Sequence, residues 1–219
     1  MSDTILLPEV PEERIFYVEE LPVLIGRITL PHRQGRNGRF NRYYRACADT
    51  FERCCRRELL PRAESAYCRA LENAGPLPQW EAALVCQVTM ENDKLVSLRC
   101  DTTVSGMPYP TAARRGDTWD LRRELLISLQ DCFLPRTPWK RLLLEYAAAQ
   151  IGAQEAQGLA HYHEDWQKRL YRAFRPQDFY LTDEGLCFFF SPGAIAPAYE
   201  GLPTFCLPYA DSGPLIPNL

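Results

Sequence analysis

The C-terminal segment 179–209 constrains the fold more than any other part of the chain, because it alternates aromatic runs with turn residues. Residues 179–182 and 186–190 are rich in aromatic and β-branched side chains, which predicts two short strands. Between them, residues 183–185 read Asp-Glu-Gly and are typical of a three-residue turn in which the glycine takes a positive φ. We therefore expect a β-hairpin.

The side-chain pattern of this hairpin predicts that both of its faces are covered. In the register set by a three-residue turn, Phe179 and Leu181 share a face with Cys187 and Phe189, and the opposite face is also apolar. Residues 202–208 follow with prolines near both ends. Because each proline removes a ladder donor, this run favours an edge strand.

Length and composition exclude several classes of protein. The 219 residues are 46% hydrophobic, which is enough to bury a substantial core. A net charge of −3 argues against general affinity for nucleic acid, and no run of about 18 apolar residues predicts a membrane span. The first residues lack the basic-then-apolar order of a signal peptide. As given, we expect a soluble, cytoplasmic chain.

The cysteine pattern does not predict a metal or redox site. The nine cysteines are odd in number, and no Cys-x-x-Cys spacing occurs among them. A zinc ribbon or a thioredoxin-like motif therefore has little support. We expect most of the cysteines to be small, buried and reduced, and we expect no cofactor.

The N-terminal half alternates strand and helix signals. Residues 1–20 are acidic and accompanied by prolines, which indicates an extended lead-in, and residues 21–30 predict a first strand. A helix is expected from Arg39, since apolar residues then recur at steps of three and four. Pro61 is expected to kink or interrupt it before a second helical segment, 62–73.

Two further strands are predicted over residues 81–90 and 95–104. Aligning their apolar faces places Cys86 opposite Cys100. A disulfide between these neighbours would need adjustment of the backbone, so we expect two reduced core thiols.

Helices over residues 138–157 and 163–174 lead into the closing hairpin. This order of elements predicts an α+β fold, with an antiparallel sheet packed against helices and closed by a C-terminal β-hairpin and edge strand. We expect residues 21–219 to form a single compact unit. The alternative is a sub-division into 21–104 and 105–219.

The order of aromatic strand, tight turn and proline-bounded strand in 179–209, with the Leu-Gln-Asp-Cys-Phe run at 129–133, resembles a known family. It is the C-terminal domain of the RsiV-type anti-sigma factor ectodomain, a domain of unknown function also found beside peptidoglycan deacetylases. The resemblance implies an α+β binding or sensing domain with a lysozyme-like or signalling protein as partner. The family's glycine-glycine-alanine-histidine loop corresponds to residues 105–110, where Gly106 matches and the histidine is absent.

Two polar clusters have structural explanations. Arginines recur every third residue from Arg33 to Arg45, but that step spirals around an α-helix, so we expect a solvated face and no nucleic-acid site. His161 and His163 precede acidic residues at 164–165 that suit a helix N-terminus, and no third ligand is evident. We expect no metal site.

The best candidate for a binding site is the segment 105–118, which reads as a long loop. Tyr109, Arg114, Arg115 and Trp119 on or beside it are residue types favoured at binding hot spots. In the alternative interpretation, Tyr109 and Trp119 pack beneath the loop.

We therefore expect a non-enzymatic binding or sensing domain, since the serines lack a nucleophile-elbow context and no phosphate-binding loop is present. Two alternatives stay open. One is a secreted lysozyme-binding domain that lacks its anchor. The other is a small hydrolase whose Cys and His residues meet only in space.

Overall fold

The structure is a computed structural model that describes residues 5–34, 38–106, 110–210, 213 and 215. The chain divides into two compact units. Unit 1 contains Met1–Gln87 and Cys100–Ala112, and unit 2 contains Val88–Arg99 and Ala113–Leu219. The domain boundaries predicted from the sequence stay predictions.

The fold is α+β, as the sequence predicts. The strands are β1 Ile5–Leu6, β2 Glu12–Val18, β3 Leu21–Thr29, β4 His32–Arg33, β5 Trp80–Glu91, β6 Leu95–Ser105, β7 Thr111–Asp120, β8 Leu125–Leu126, β9 Phe179–Leu181, β10 Gly185–Phe189 and β11 Thr204–Pro208. The α-helices are α1 Arg39–Cys54, α2 Leu60–Glu72, α3 Trp139–Ala156 and α4 Trp166–Ala173. A π-helical turn spans Cys55–Leu59, and 3-10 turns span Leu129–Cys132 and Ala198–Glu200.

Six strands are hydrogen-bonded in the order β2-β3-β5-β6-β7-β8, and β11-β10-β9 form a separate three-stranded sheet. In the larger sheet β3 and β5 run parallel, although the sequence predicts an antiparallel sheet. The parallel pair arises because the long helical segment between β3 and β5 returns the chain to the same end of the sheet. The short pairs β2–β3 and β7–β8 are antiparallel.

In unit 1 the helices cover one face of the sheet. The face of α1 predicted from its periodicity is largely confirmed, since Phe40, Tyr44 and Phe51 are buried. Phe51 packs in one cluster with Leu24 of β3 and with Phe16 of β2. Residues 12–18, which fall within the predicted extended lead-in, are thus paired as a strand.

No loop separates the helices at Pro61, although the regular α-helix is broken just before it. A π-helical turn, Cys55–Leu59, joins α1 to α2, and Pro61 lies in the first turn of α2. Proline lacks an N–H, and its ring collides with the carbonyl four residues earlier in an ordinary α-helix. The wider turn relieves this conflict, so the two helices follow one another without a loop.

The predicted pairing of Cys86 with Cys100 is correct, but the expectation of two reduced thiols is wrong. The two cysteines form a disulfide with a Cα–Cα distance of 4.0 Å. The two directly opposed side chains can bond because the strands approach each other closely at this pair.

In unit 2, α3 and α4 pack on an aromatic core that includes Phe174, Phe188 and Phe190. The C-terminal hairpin is confirmed, but its register differs from the prediction by one residue. Leu181 pairs with Leu186, and Phe179 pairs with Phe188. The Thr182 N–H donates a hydrogen bond to the Gly185 carbonyl, so the turn contains only two residues, 183 and 184.

Gly185 explains the wrong register. It has no positive φ, and a Cβ there would collide with the carbonyl oxygen of Leu207 on β11. The glycine permits close approach of the neighbouring strand and does not form the turn. As predicted, both faces of the hairpin are buried, with Tyr180, Cys187 and Phe189 on the second face.

The two outer strands of the three-stranded sheet have different surroundings. On β9, the Leu181 N–H donates to Ser97 Oγ at 2.8 Å, and Thr89 Oγ1 donates to the Leu181 carbonyl at 2.6 Å. The β7 backbone also approaches here, because a Cβ on Gly116 would collide with the Phe179 carbonyl. The other outer strand, β11, is the predicted edge strand.

A second disulfide joins Cys187 of β10 to Cys206 of β11, which are direct partners in the ladder. Cys206 is exposed, and its carbonyl accepts a hydrogen bond from the Tyr146 hydroxyl of α3 at 2.7 Å. The edge strand is therefore held by a disulfide through one side chain and by a hydrogen bond from α3 to its backbone. Within the described residues, no helix combines the length and the apolar character that a membrane span requires.

Candidate functional site

The segment predicted as a binding loop is mostly a strand. Residues 111–120 form β7, so Arg114, Arg115 and Trp119 lie on a paired strand, whereas Tyr109 lies outside the described residues. The loop prediction is wrong because the strand has little hydrophobic alternation. Its position is set by hydrogen bonding within the sheet and not by an apolar face of its own.

Arg114 lies over the second face of the hairpin. Its guanidinium carbon is 5.8 Å from the centre of the Phe189 ring, and Nη1 donates to Thr204 Oγ1 at 3.2 Å. The side chain thus covers an apolar cluster and bonds the edge strand β11. These contacts stabilise unit 2, and a role in binding a partner stays a prediction.

Arg115 and Trp119 also have intramolecular roles. Arg115 Nε donates to both carboxylate oxygens of Asp117, at 3.0 and 3.1 Å, and the Asp117 side chain is only 3% exposed. Trp119 is 2% exposed, so the alternative in which it packs internally is correct and it does not belong to a contact surface. Partner binding by Arg115 stays a prediction.

The histidine pair has ordinary structural contacts. His161 Nδ1 lies 2.9 Å from Glu200 Oε1, and His163 Nε2 lies 3.2 Å from the Gly193 carbonyl. Both precede α4, which begins at Trp166 and not at His163 as predicted. Across the described part of the chain, no group of three or more His, Cys, Asp or Glu side chains could hold a metal ion.

The buried thiols are poor nucleophiles. Burial raises the pKa of the Cys132 thiol to about 12 and that of Cys55 to about 11, with nearby Asp131 and Cys54 adding to the respective shifts. The thiolate is the reactive form of cysteine, and at neutral pH it is suppressed at both positions.

A groove on a different surface is a second candidate for a contact site. An open groove of about 450 Å³ lies between the start of α3 and α4, and we call it the α3–α4 groove. Residues 137–141 and Leu144 form one side, and Tyr171 forms the other. The helix starts directly after Pro138, whose fixed φ suits a helix N-terminus.

Aromatic residues dominate this groove. Trp139 stacks on Phe133 with ring centres 6.4 Å apart and contacts Phe174 at the same distance, so its ring is supported from the core side. Leu144 is buried, whereas Tyr171 is 61% exposed. A rigid, partly exposed Trp beside an exposed Tyr is the composition that binding hot spots favour.

The groove is bordered by cations. Lys140 and Arg141 occupy the first turn of α3, where Lys140 Nζ lies 5.9 Å from the Phe174 ring centre. Arg141 Nε lies 3.7 Å from Glu145, and both side chains are mostly exposed, so the pair is weak. The groove therefore combines an apolar surface with a positively charged rim.

Sequence reasoning missed this groove, because Tyr171 and Trp139 lie on different helices and meet only in the fold. One signal was available. The run Trp139-Lys140-Arg141 places two cations at the start of a helix, where acidic residues are usual.

Comparisons with known proteins agree with the fold. Residues 130–210, which include the whole groove, match the family described as a protein of unknown function, DUF3298. This match falls in the C-terminal part of the chain, which also carries the resemblance seen in the sequence. No curated protein matches the chain.

Two solved structures are similar. A DUF3298 family member from Bacteroides fragilis NCTC 9343 is 15% identical, with a TM-score of 0.65, over 94% of this chain and 90% of that one. A DUF3298 family protein from Pseudomonas aeruginosa PAO1 is 19% identical, with a TM-score of 0.56, over 94% of this chain and 92% of that one. At these identities the likeness shows the fold alone.

Proposed function

We propose that this chain is a non-enzymatic binding or sensing domain of the RsiV ectodomain type, and that the α3–α4 groove is its contact surface. The observation that supports it is the open groove with Tyr171 exposed beside a core-supported Trp139. An aromatic side chain that stays exposed on a helix contributes little to the free energy of folding. Its burial by a partner would contribute favourably to the free energy of binding. The groove replaces segment 105–118 as the leading candidate, while Tyr109, Arg114 and Arg115 stay predicted contacts.

Thiol chemistry supports a non-enzymatic role over a small hydrolase. The described contacts of His161 and His163 are to Glu200 and Gly193, and the raised pKa values of Cys55 and Cys132 oppose thiolate formation. A Cys–His nucleophile needs the reverse arrangement, with a thiolate stabilised by an adjacent imidazolium.

The two disulfides favour the alternative in which the domain works outside the cytosol. Disulfides persist in oxidising compartments and are rare where thiols are kept reduced. We therefore propose an extracytoplasmic location in place of the cytoplasmic one expected from the sequence. That location is where a lysozyme-binding domain would work, as the resemblance implies.

A thiol titration of the unfolded, unreduced protein tests the location. Two intact disulfides leave five of the nine cysteines reactive toward a thiol reagent. A count of nine in protein isolated from its native host would contradict the proposal.

Selection from a random peptide library displayed on phage tests the contact surface. We expect clones enriched on the wild-type protein to bind Tyr171→Ala about tenfold more weakly or worse, as is usual when a hot-spot aromatic is removed. Tyr199→Ala is the matched control, because Tyr199 is 78% exposed and lies outside the groove. If no clone is enriched, or if enriched clones bind both variants as they bind the wild type, the groove is not the contact surface.

A further inference from the structure

We propose that the α3–α4 groove takes an acidic peptide segment of a partner protein, which inserts an apolar side chain between Trp139 and Tyr171 and places carboxylates on the rim. This inference rests on the proposed function, because it names the chemistry of the partner at the same surface. Three observations support it: the distribution of charge, the position of the cations on α3, and the apolar lining.

The charge of the chain is distributed unevenly around the groove. Residues 132–144 contain three Lys and Arg residues, residues 166–177 contain four, and neither segment contains Asp or Glu. The whole chain has a net charge of −3. Lys140 and Arg141 of the first segment line the groove, and the second segment contributes Tyr171, while its Arg169 is paired with Asp165. The groove thus carries two cations in an acidic protein, which favours an anionic partner.

The two cations lie at the end of α3 where the helix dipole disfavours positive charge. Lys140 and Arg141 lie in the first turn of α3, a turn that is fully described and has no acidic side chain. The N-terminus of a helix carries a partial positive charge, so cations there are unfavourable in the free protein. A carboxylate bound at this end would be attracted by both side chains and by the helix terminus.

The apolar lining and the limited extent of the charge favour a peptide over a polyanion. Acidic residues bound both basic segments, with Asp131 and Glu145 around the first and Asp165 and Asp178 around the second. Nucleic acids and other polyanions need a continuous basic track that contacts many phosphates. Instead, the short rim and the apolar lining, to which Trp139, Leu144 and Tyr171 contribute, suit an apolar side chain with a few flanking carboxylates.

Fluorescence anisotropy with defined probes tests the inference. The probe is a short labelled peptide with a central Leu-Phe pair flanked by Glu on both sides. The comparison peptides have Lys in place of every Glu, or Glu throughout with no apolar residue. We expect the Glu–Leu-Phe peptide to bind more tightly than either, and its affinity to fall as salt concentration rises.

Charge reversal at the rim provides the decisive variant. Lys140→Glu combined with Arg141→Glu is expected to weaken binding of the Glu–Leu-Phe peptide about tenfold or more. Arg45→Glu combined with Arg57→Glu is the matched control, since it changes the net charge equally on exposed helical positions of unit 1. Far-UV circular dichroism and thermal melts of all variants confirm folding.

The outcomes separate this inference from the proposed function. If the library clones depend on Tyr171 but the rim variant binds them normally, the groove is the contact surface and the acidic-partner inference is wrong. Equal binding of the Lys-containing peptide, or of the peptide without apolar residues, also overturns it. Stronger competition by oligothymidylate or by phosphatidylglycerol vesicles than by the Glu–Leu-Phe peptide would replace the peptide with a nucleic acid or a lipid surface.

Discussion

Strand β7 and the α3–α4 groove both place arginine or lysine beside aromatic rings, but the cations have different surroundings. On β7, Arg115 bonds the buried Asp117 and Arg114 covers Phe189. At the groove, Lys140 and Arg141 lie at the rim beside the exposed Tyr171. Residue types that favour hot spots therefore do not distinguish a contact surface from internal support, and neither does a cation–ring contact, since Lys140 lies over Phe174 much as Arg114 lies over Phe189. The two regions differ in the buried carboxylate of Asp117 and the exposed ring of Tyr171, and the following variants test that distinction.

The largest difference is expected between two tryptophans. Trp119→Ala should lower the free energy of unfolding by about 3–5 kcal/mol, because Trp119 is fully buried. Trp139→Ala should lower the free energy of unfolding by clearly less, because Trp139 is only half-buried at the groove. Urea unfolding of both variants measures the difference. Equal losses would show that Trp139 serves the core as much as Trp119 does.

The next effect concerns the disulfide between Cys187 and Cys206. Replacing both Cys187 and Cys206 with Ala should destabilise the protein by about 3 kcal/mol, since the bond closes a segment with a sequence separation of 19 residues. Thermal unfolding checks this, with Cys68→Ala, an exposed cysteine outside both disulfides, as the control. A loss no greater than that of the control would mean that the edge strand does not depend on this bond.

A smaller effect is expected for Arg115→Ala, about 1–2 kcal/mol, because the buried Asp117 carboxylate loses a two-oxygen partner that is itself 41% exposed. Arg122→Ala, on an exposed neighbouring position, should change stability by less than about 0.5 kcal/mol. Equal stability of the two variants would show that the Arg115–Asp117 pair contributes nothing to the stability of the fold.

The smallest effect on stability is expected for Tyr171→Ala. Because Tyr171 is 61% exposed, its loss should change the free energy of unfolding by no more than about 0.5 kcal/mol. Combined with weaker peptide binding, this result would separate function from stability at the groove. A loss of several kcal/mol would instead place Tyr171 among the residues that support the fold.

Local patterns predicted the elements of the fold well. The start of α1 at Arg39 and the strands around Cys86 and Cys100 follow from helical and strand periodicity, which are properties of short segments. Pairing between distant segments was harder. The one-residue shift of the C-terminal hairpin arises from Gly185. A glycine is needed there because the β11 backbone approaches it closely, and the sequence of the turn gives no sign of that strand.

The candidate site was less accessible to sequence reasoning. The strand character of β7 depends on its neighbours in the sheet, so residues 111–118 were predicted as part of a loop. The disulfide state of Cys187 and Cys206 follows from a ladder between β10 and β11 whose register no local signal fixes. The groove requires Trp139 and Tyr171 to meet across two helices, which only the packed core determines.

The unequal edges of the three-stranded sheet have a consequence for fibre formation. An added strand from another molecule needs a row of unpaired backbone groups, and such rows are the usual starting points of amyloid growth. At β9 the Leu181 backbone is already bonded by Thr89 and Ser97. At β11 the Cys206 carbonyl is already bonded by Tyr146, and Pro208, the last residue of the strand, supplies no N–H. A hairpin this rich in phenylalanine thus carries its own protection against templated polymerisation.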